Sequence, residues 1–254
     1  IEFDFITHEL EARTSDGARV VVPLRPVSVA EFYDEVSAVL RSLGVDVRIR
    51  TMPSEIEDAV PFEQDHVHAS YDAAYANRFW RVVAQSARVL TDFRARFIGK
   101  VSPVHFFWGS FDIAVTRFSG RPAPPHPGGV PNLPDWVARE AYSHEVSSAG
   151  WWPGNGPLGE PAFYSYAYPA AGGFAEYAVR PAAAFFSKDL GEFVLPYEAV
   201  RQADDPDATL LEFLQTTYNA AADLGRWDRG ALEGTLPPPT ADSRVQRPIE
   251  RTSS

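Results

Sequence analysis

The chain opens on a two-residue alternation. Between Glu2 and Ser15, Phe3 and Phe5 fall on one side and Ile6, His8 and Leu10 on the other, the pattern of a half-buried strand. Asp16-Gly17 signals a hairpin turn, and Arg19 to Val22 returns as a second strand closed by Pro23 and Pro26. From Ser28 the period becomes helical, with Val29, Phe32, Val36, Val39, Leu40 and Leu43 in one stripe. Ser28 and Glu31 have capping-box spacing, Val27 and Phe32 the spacing of a hydrophobic staple, and Gly44 supplies a left-handed stop. Val45, Val47 and Ile49 then alternate with Asp46, Arg48 and Arg50, which predicts another strand.

Residues 53–70 are polar, acidic and aperiodic, and read as a linker. Asp72 caps a long second helix whose apolar positions run through Tyr75, Phe79, Val82, Leu90, Phe93 and Phe97 to a stop at Gly99. A β-rich region follows: 101–120 with a break at Gly109-Ser110, then 140–148, 162–168, 174–179 and 192–195. Pro/Gly-rich loops fill 121–134 and 152–161. Asp205-Pro206 opens a third helix, lined by Leu210, Leu211, Leu214, Tyr218, Ala221 and Leu224 and ended by Gly225. Residues 229–254, which include Pro237-Pro238-Pro239, read as a disordered tail.

Part of this pattern recurs. Glu31-Phe32 precedes Leu43-Gly44 by the same spacing at which Glu212-Phe213 precedes Leu224-Gly225, each after a strand ending in Pro, and Thr7-His8-Glu9-Leu10 resembles Ser143-His144-Glu145-Val146. The expected fold is α+β: two pseudo-repeats of antiparallel strands, each closed by a C-terminal helix and joined by a long central helix. Residues 1–52 hold the first repeat, and 71–228 the long helix and the second. Phe79, Phe93, Trp108 and Phe111 are expected in the core.

The run Ile98-Gly99-Lys100-Val101-Ser102-Pro103-Val104-His105-Phe106-Phe107-Trp108-Gly109-Ser110-Phe111-Asp112, continued by Ala114 to Gly120, resembles the bacterial DUF5996 family. So do Glu140-Ala141-Tyr142-Ser143-His144-Glu145-Val146 and His68-Ala69-Ser70-Tyr71-Asp72, and the resemblance extends from about Ile1 to Trp227. The family is functionally uncharacterised, so the resemblance implies no catalytic residues. It does imply a further helix and aromatic strands ahead of Ile1, which would leave the first repeat short of strands.

Composition narrows the function. The chain has no cysteine, which excludes disulfides, thiolate nucleophiles and iron–sulfur sites. A net charge of −11 argues against a nucleic-acid partner. No apolar run approaches the ~20 residues of a membrane span. The chain opens on Ile1 rather than Met, which suggests a fragment or processed form. No leader is visible, and a cytoplasmic location is expected.

Gly154-Asn155-Gly156-Pro157-Leu158-Gly159 has the letters of a dinucleotide fingerprint, but Pro157 and the aromatic strand that follows deny it the strand–turn–helix context, so no cofactor is expected. His66-Val67-His68 beside Asp65 has the spacing of a metal pair, or of two histidines in a solvated linker. The segment His105–Arg117 mixes large aromatics with titratable groups, as a ligand pocket does and as an aromatic sheet core with satisfied polar groups also can. On a regular strand, His105, Phe107, Phe111, Ile113, Val115 and Arg117 would share one face, and Trp108 and Asp112 the other. A His and a carboxylate in such a pocket can perform general acid–base chemistry on a small molecule. The candidates are His105 and His144 as acid/base, with Asp112 and Glu145 as orienting carboxylates around a common cavity. Arg117 would serve as an anion clamp, with Trp108 and Tyr142 as further ligand contacts. A metal on His68, His105 and His144 is a variant, and a non-catalytic binding or structural protein is the alternative. Oligomeric state is left open.

Overall fold

The computed structural model describes residues 1–155 and 158–234. Strands β1 (Glu2–Asp4), β2 (Glu9–Arg13) and β3 (Arg19–Pro23) form a small antiparallel sheet in chain order. The single strand expected over Glu2–Ser15 is two. The Asp4 carboxylate accepts the backbone N–H groups of Ile6 (2.7 Å) and Thr7 (2.9 Å), which turns the chain at residues 5–8. The turn at Asp16-Gly17 is as expected, with Gly17 at φ +95°. Helix α1 (Val29–Ser42) starts at the expected capping box: Ser28 Oγ accepts from the Glu31 N–H at 3.2 Å, and Glu31 accepts from the Ser28 N–H at 2.9 Å.

Residues 45–50 are irregular, and Val45, Val47 and Ile49 are exposed. Alternation predicted a strand there, but among the described residues no strand lies beside it, and without a partner there is no ladder to make it one. The 53–70 segment contains a short 3₁₀ turn at Phe62–Gln64 and serves α1 directly. The Val29 and Ala30 N–H groups donate to the carbonyls of His68 and Asp65, both at 3.0 Å, which satisfies two donors of the first helical turn.

Helix α2 (Ala73–Ala95) begins at Asp72, whose carboxylate accepts the Tyr75 N–H at 3.0 Å. The main sheet then assembles from β4 (His105–Phe107), β5 (Asp112–Pro122), β6 (His144–Trp152), β7 (Ala162–Tyr168), β8 (Phe185–Ser187) and β9 (Glu192–Pro196), all antiparallel, in the order β4-β5-β6-β7-β9-β8. Helix α3 (Asp135–Ala141) occupies the start of the strand expected from 140, and 174–179 is a series of turns rather than a strand. After α4 (Tyr197–Arg201), helix α5 (Pro206–Leu224) runs from its Asp205 cap to Gly225. Residues 229–234, expected in the tail, form α6 (Arg229–Leu232) and a bridge between Glu233 and Phe97, while residues 235–254 lie outside the described part.

One face of the main sheet is the floor of the core. Ile113, Val115, Trp151, Phe163 and Leu195 meet Leu90 and Phe93 of α2 and Phe213, Leu214 and Tyr218 of α5. Phe93 is buried as expected and Phe79 half-buried. Trp108 and Phe111 are not core residues: they are 66% and 44% exposed, because 108–111 is the turn between β4 and β5. Among the described residues, no helix is long and apolar enough to cross a membrane. Helices and two antiparallel sheets make the fold α+β.

Candidate functional site

The break at Gly109-Ser110 is a hairpin, and this redistributes the candidate residues. Phe107 pairs with Asp112, Phe106 with Ile113 and His105 with Ala114. Cross-strand partners point the same way, so His105, Asp112, Ala114 and Thr116 share the face turned away from the helices. Ile113, Val115 and Arg117 point into the core.

Arg117 is therefore on the wrong side to clamp a ligand there. It is 1% exposed, with its guanidinium 3.4 Å above the Phe93 ring and 4.4 Å from the Tyr218 ring, and its Nη2 donates to the Phe93 carbonyl. Burial pulls its pKa down to about 10. Among the described residues its Nε has no hydrogen-bond partner, and the rings and one carbonyl stand in for a carboxylate.

His105 and His144 do not converge. His105 lies in the row of Ala114 and Gly150, six residues along β6 from His144, about 20 Å at the rise of a strand. His144 contacts Ser143 Oγ at 3.1 Å. Glu145 points to the helical side and accepts from Arg121 Nη2 at 2.6 Å. The metal variant fails on the same geometry: His68 is held by Asp65 at 2.8 Å in the N-terminal part, and among the described residues no three His, Asp or Glu side chains are placed to share an ion. Trp108 lies tilted against Phe3 (5.7 Å) and edge-on to Phe106 (5.2 Å) at the turn.

The outer face does bring polar groups together, and Asp112 and Tyr142 are among them. In β7, Tyr164, Tyr166 and Tyr168 alternate onto this face. Tyr164 reaches back across Gly150, where a Cβ would lie 2.6 Å from its hydroxyl, and donates to Asp112 Oδ2. Asp112 is only 6% exposed. Tyr166 shares a hydrogen bond with Tyr142 at 2.8 Å, and Thr116 with Ser148 at 2.9 Å. His126 stacks on Tyr142, centroids 4.7 Å apart, and lies 5.1 Å from Tyr168. Glu192, at the start of β9, points the same way as Val194, the cross-strand partner of Tyr164.

The rim is held from the N-terminal part. Glu55 adopts φ +67°, a left-handed conformation uncommon for this residue, and its N–H donates to the Pro131 carbonyl at 2.8 Å. Asn132, also left-handed, donates from Nδ2 to the Ile56 carbonyl at 2.7 Å. The Glu55 carboxylate accepts from the Ser110 hydroxyl beside the β4–β5 turn.

Electrostatics set this face apart. Burial first, and then the charge of Asp112, push the Glu192 carboxyl up to about 7. Burial also raises Asp112; the Tyr164 hydrogen bond partly offsets this, and the Glu55 charge adds to it. Burial pushes the phenols of Tyr164 and Tyr166 well above the ordinary range, so they remain hydrogen-bond donors. Among the described residues, neither Asp112 nor Glu192 has an Arg or Lys ion-pair partner, so no salt bridge pins either as an anion. His105, diagonal to Asp112, is the one predicted acid/base that borders this group.

Sequence reasoning missed Glu192, Tyr164, Tyr166, His126 and Glu55. A signal for Glu192 exists. Three hairpins, β1–β2, β4–β5 and β8–β9, have four-residue loops whose last residue is left-handed (His8, Phe111 and Gly191), and each is followed at once by an acid: Glu9, Asp112 and Glu192. The Tyr-x-Tyr-x-Tyr alternation of β7 marks the aromatic row in the same way.

The model of a family of unknown function, DUF5996, matches residues 1–234. No curated protein and no solved structure matches the chain.

Proposed function

The chain belongs to the DUF5996 family, whose function is unknown, and we propose that the outer face of its main sheet binds a small polar molecule without negative charge and can move a proton on it. The observation that carries this reading is the placement of Asp112 and Glu192 on one tyrosine-lined face, away from any Arg or Lys ion pair. Glu192 sits between its two protonation states near neutrality, the condition for a general acid or base. Asp112, held by the Tyr164 hydroxyl, would orient the ligand, and the hydrogen-bonded Tyr142–Tyr166 pair would have one O–H left to donate to it. An anion would meet the field of Asp112, Glu192 and Glu55 and be repelled. The expected acid/base pair of His and carboxylate thus becomes a pair of carboxyls, with His105 at the border. A cytoplasmic setting is part of this proposal.

A thermal-shift screen of sugars, polyols, amines and carboxylates tests it. Neutral or cationic compounds should stabilise the protein, and Glu192→Gln and Asp112→Asn should each abolish the shift. Stabilisation only by anions, shifts indifferent to both variants, or a Glu192 carboxyl that titrates in the ordinary range by carbon-13 NMR would each remove the reading. Product analysis on the compounds that bind separates catalysis from the alternative of a non-catalytic ligand-binding protein.

We further propose that the two sheets descend from one duplicated unit. The capped helices α1 and α5, each of which comes after a strand that ends in Pro (Pro23 of β3 and Pro196 of β9), support this, with α4 as an addition in the second copy.

A further inference from the structure

The helical side of the molecule carries a groove of about 1030 Å³ between α2 and the α4–α5 corner, floored by Phe163, Tyr197 and Val200. Small-molecule sites reach about this size. Its charge runs against that of the whole molecule. The chain carries a net −11, yet four arginines and a single aspartate, Asp207, line the groove.

Two of those arginines are already answered. Arg88 forks onto both oxygens of Asp207 at 2.6 Å, and Arg201 bonds Glu198 at 2.7 Å. Arg78 and Arg81 meet no carboxylate among the described residues; Arg78 rests 5.0 Å over the Tyr75 ring. Three residues apart on α2, they stand side by side at one end of the groove. Beyond them the lining includes Val82, Val89 and Leu210, and the wall from Arg78 to Val89 is about 16 Å long at the rise of a helix.

We propose that this groove binds a single-chain amphiphile with a carboxylate head: Arg78 and Arg81 hold the head, and the apolar trench covers the chain. Guanidinium forks match a carboxylate in geometry as well as charge. The apolar chain matches the apolar part of the lining, and the paired arginines account for the sign of the head. The site lies on the opposite side of the sheet from Asp112 and Glu192 and does not depend on their role.

Isothermal titration of the full chain with dodecanoate, kept below its critical micelle concentration, tests the proposal. One dodecanoate should bind per chain. Dodecyltrimethylammonium should bind at least tenfold more weakly. The double variant R78Q/R81Q should lose at least tenfold in dodecanoate affinity, and Ala84→Trp, which fills the groove from an exposed helix position, should abolish binding while melting like the wild type. Equal affinity for the cation, unchanged affinity in R78Q/R81Q, several dodecanoates per chain, or no binding would overturn it. Co-sedimentation with phosphatidylglycerol vesicles without binding of monomeric dodecanoate would overturn it too, in favour of a lipid surface.

Discussion

The two faces of the main sheet both bury charge, and they do so on different terms. On the helical face, Arg117 is sealed under α2 and α5 with rings on two sides and a carbonyl at its tip. Its pKa of about 10 leaves it a cation at any physiological pH, a fixed part of the packing. On the outer face, Asp112 is stabilised as an anion by the Tyr164 hydroxyl, while Glu192 meets burial and the charge of Asp112, both of which disfavour a second negative charge. With its carboxyl pushed up to about 7, Glu192 can therefore change protonation near neutral pH. A buried group whose charge is fixed reads as structure, and one left adjustable among tyrosines reads as chemistry.

The largest contrast between the faces should appear in stability. Phe93→Ala removes a ring from under Arg117 and from the main core, and should cost ~3–5 kcal/mol in urea unfolding. A loss under about 1 kcal/mol would mean that the helical face is not the core.

The pH dependence sharpens the comparison. Because the Glu192 carboxyl is raised from 4.5 to about 7, the folded chain binds more protons than the unfolded one in that window. Stability should thus fall as pH rises from 4.5 to about 7, by at most ~3 kcal/mol from this group. Asp112 adds in the same direction at lower pH. Glu192→Gln should flatten the curve over that window and be more stable than the wild type at pH 8. A variant with an unchanged slope would place the titration elsewhere.

Tyr164→Phe deletes the donor to a buried carboxylate. Equilibrium unfolding should show a loss of ~1–3 kcal/mol at pH 8, shrinking near pH 4 as Asp112, its pKa raised by burial, takes up its proton. Equal losses at both pH values would make the hydroxyl a packing group only. The smallest effect is expected at the turn: Trp108→Ala should change stability by less than ~1 kcal/mol, since the side chain is mostly exposed.

Local signals were legible where the chemistry is local. Ser28, Asp72 and Asp205 were readable as caps because each bonds a backbone N–H three residues ahead, and Asp16-Gly17 was readable as a turn because the turn needs no distant partner. The strand expected at 45–50 shows the limit. Alternation reports which residues could share a face, but a strand exists only where another strand lies beside it. The 101–120 segment shows a subtler one. Its break was visible, yet a kink keeps the parity of faces and a hairpin reverses the chain. Only the second places Asp112 with His105 and sends Arg117 to the other side.

The amino-acid sequence by itself determined the helices α1, α2 and α5, most of the strand positions, the α+β class and the presence of Asp112 and Tyr142 among the polar candidates. Each depends on period, capping or residue type within a dozen positions. The tertiary structure alone decided that Glu192, eighty residues from Asp112, shares its face, that Tyr164 crosses Gly150 to reach it, and that His144 and Glu145 do not. Strand order and register bring these groups together, and both are settled by how whole faces bury against α2 and α5, a quantity summed over the sheet and written in no single stretch of the chain.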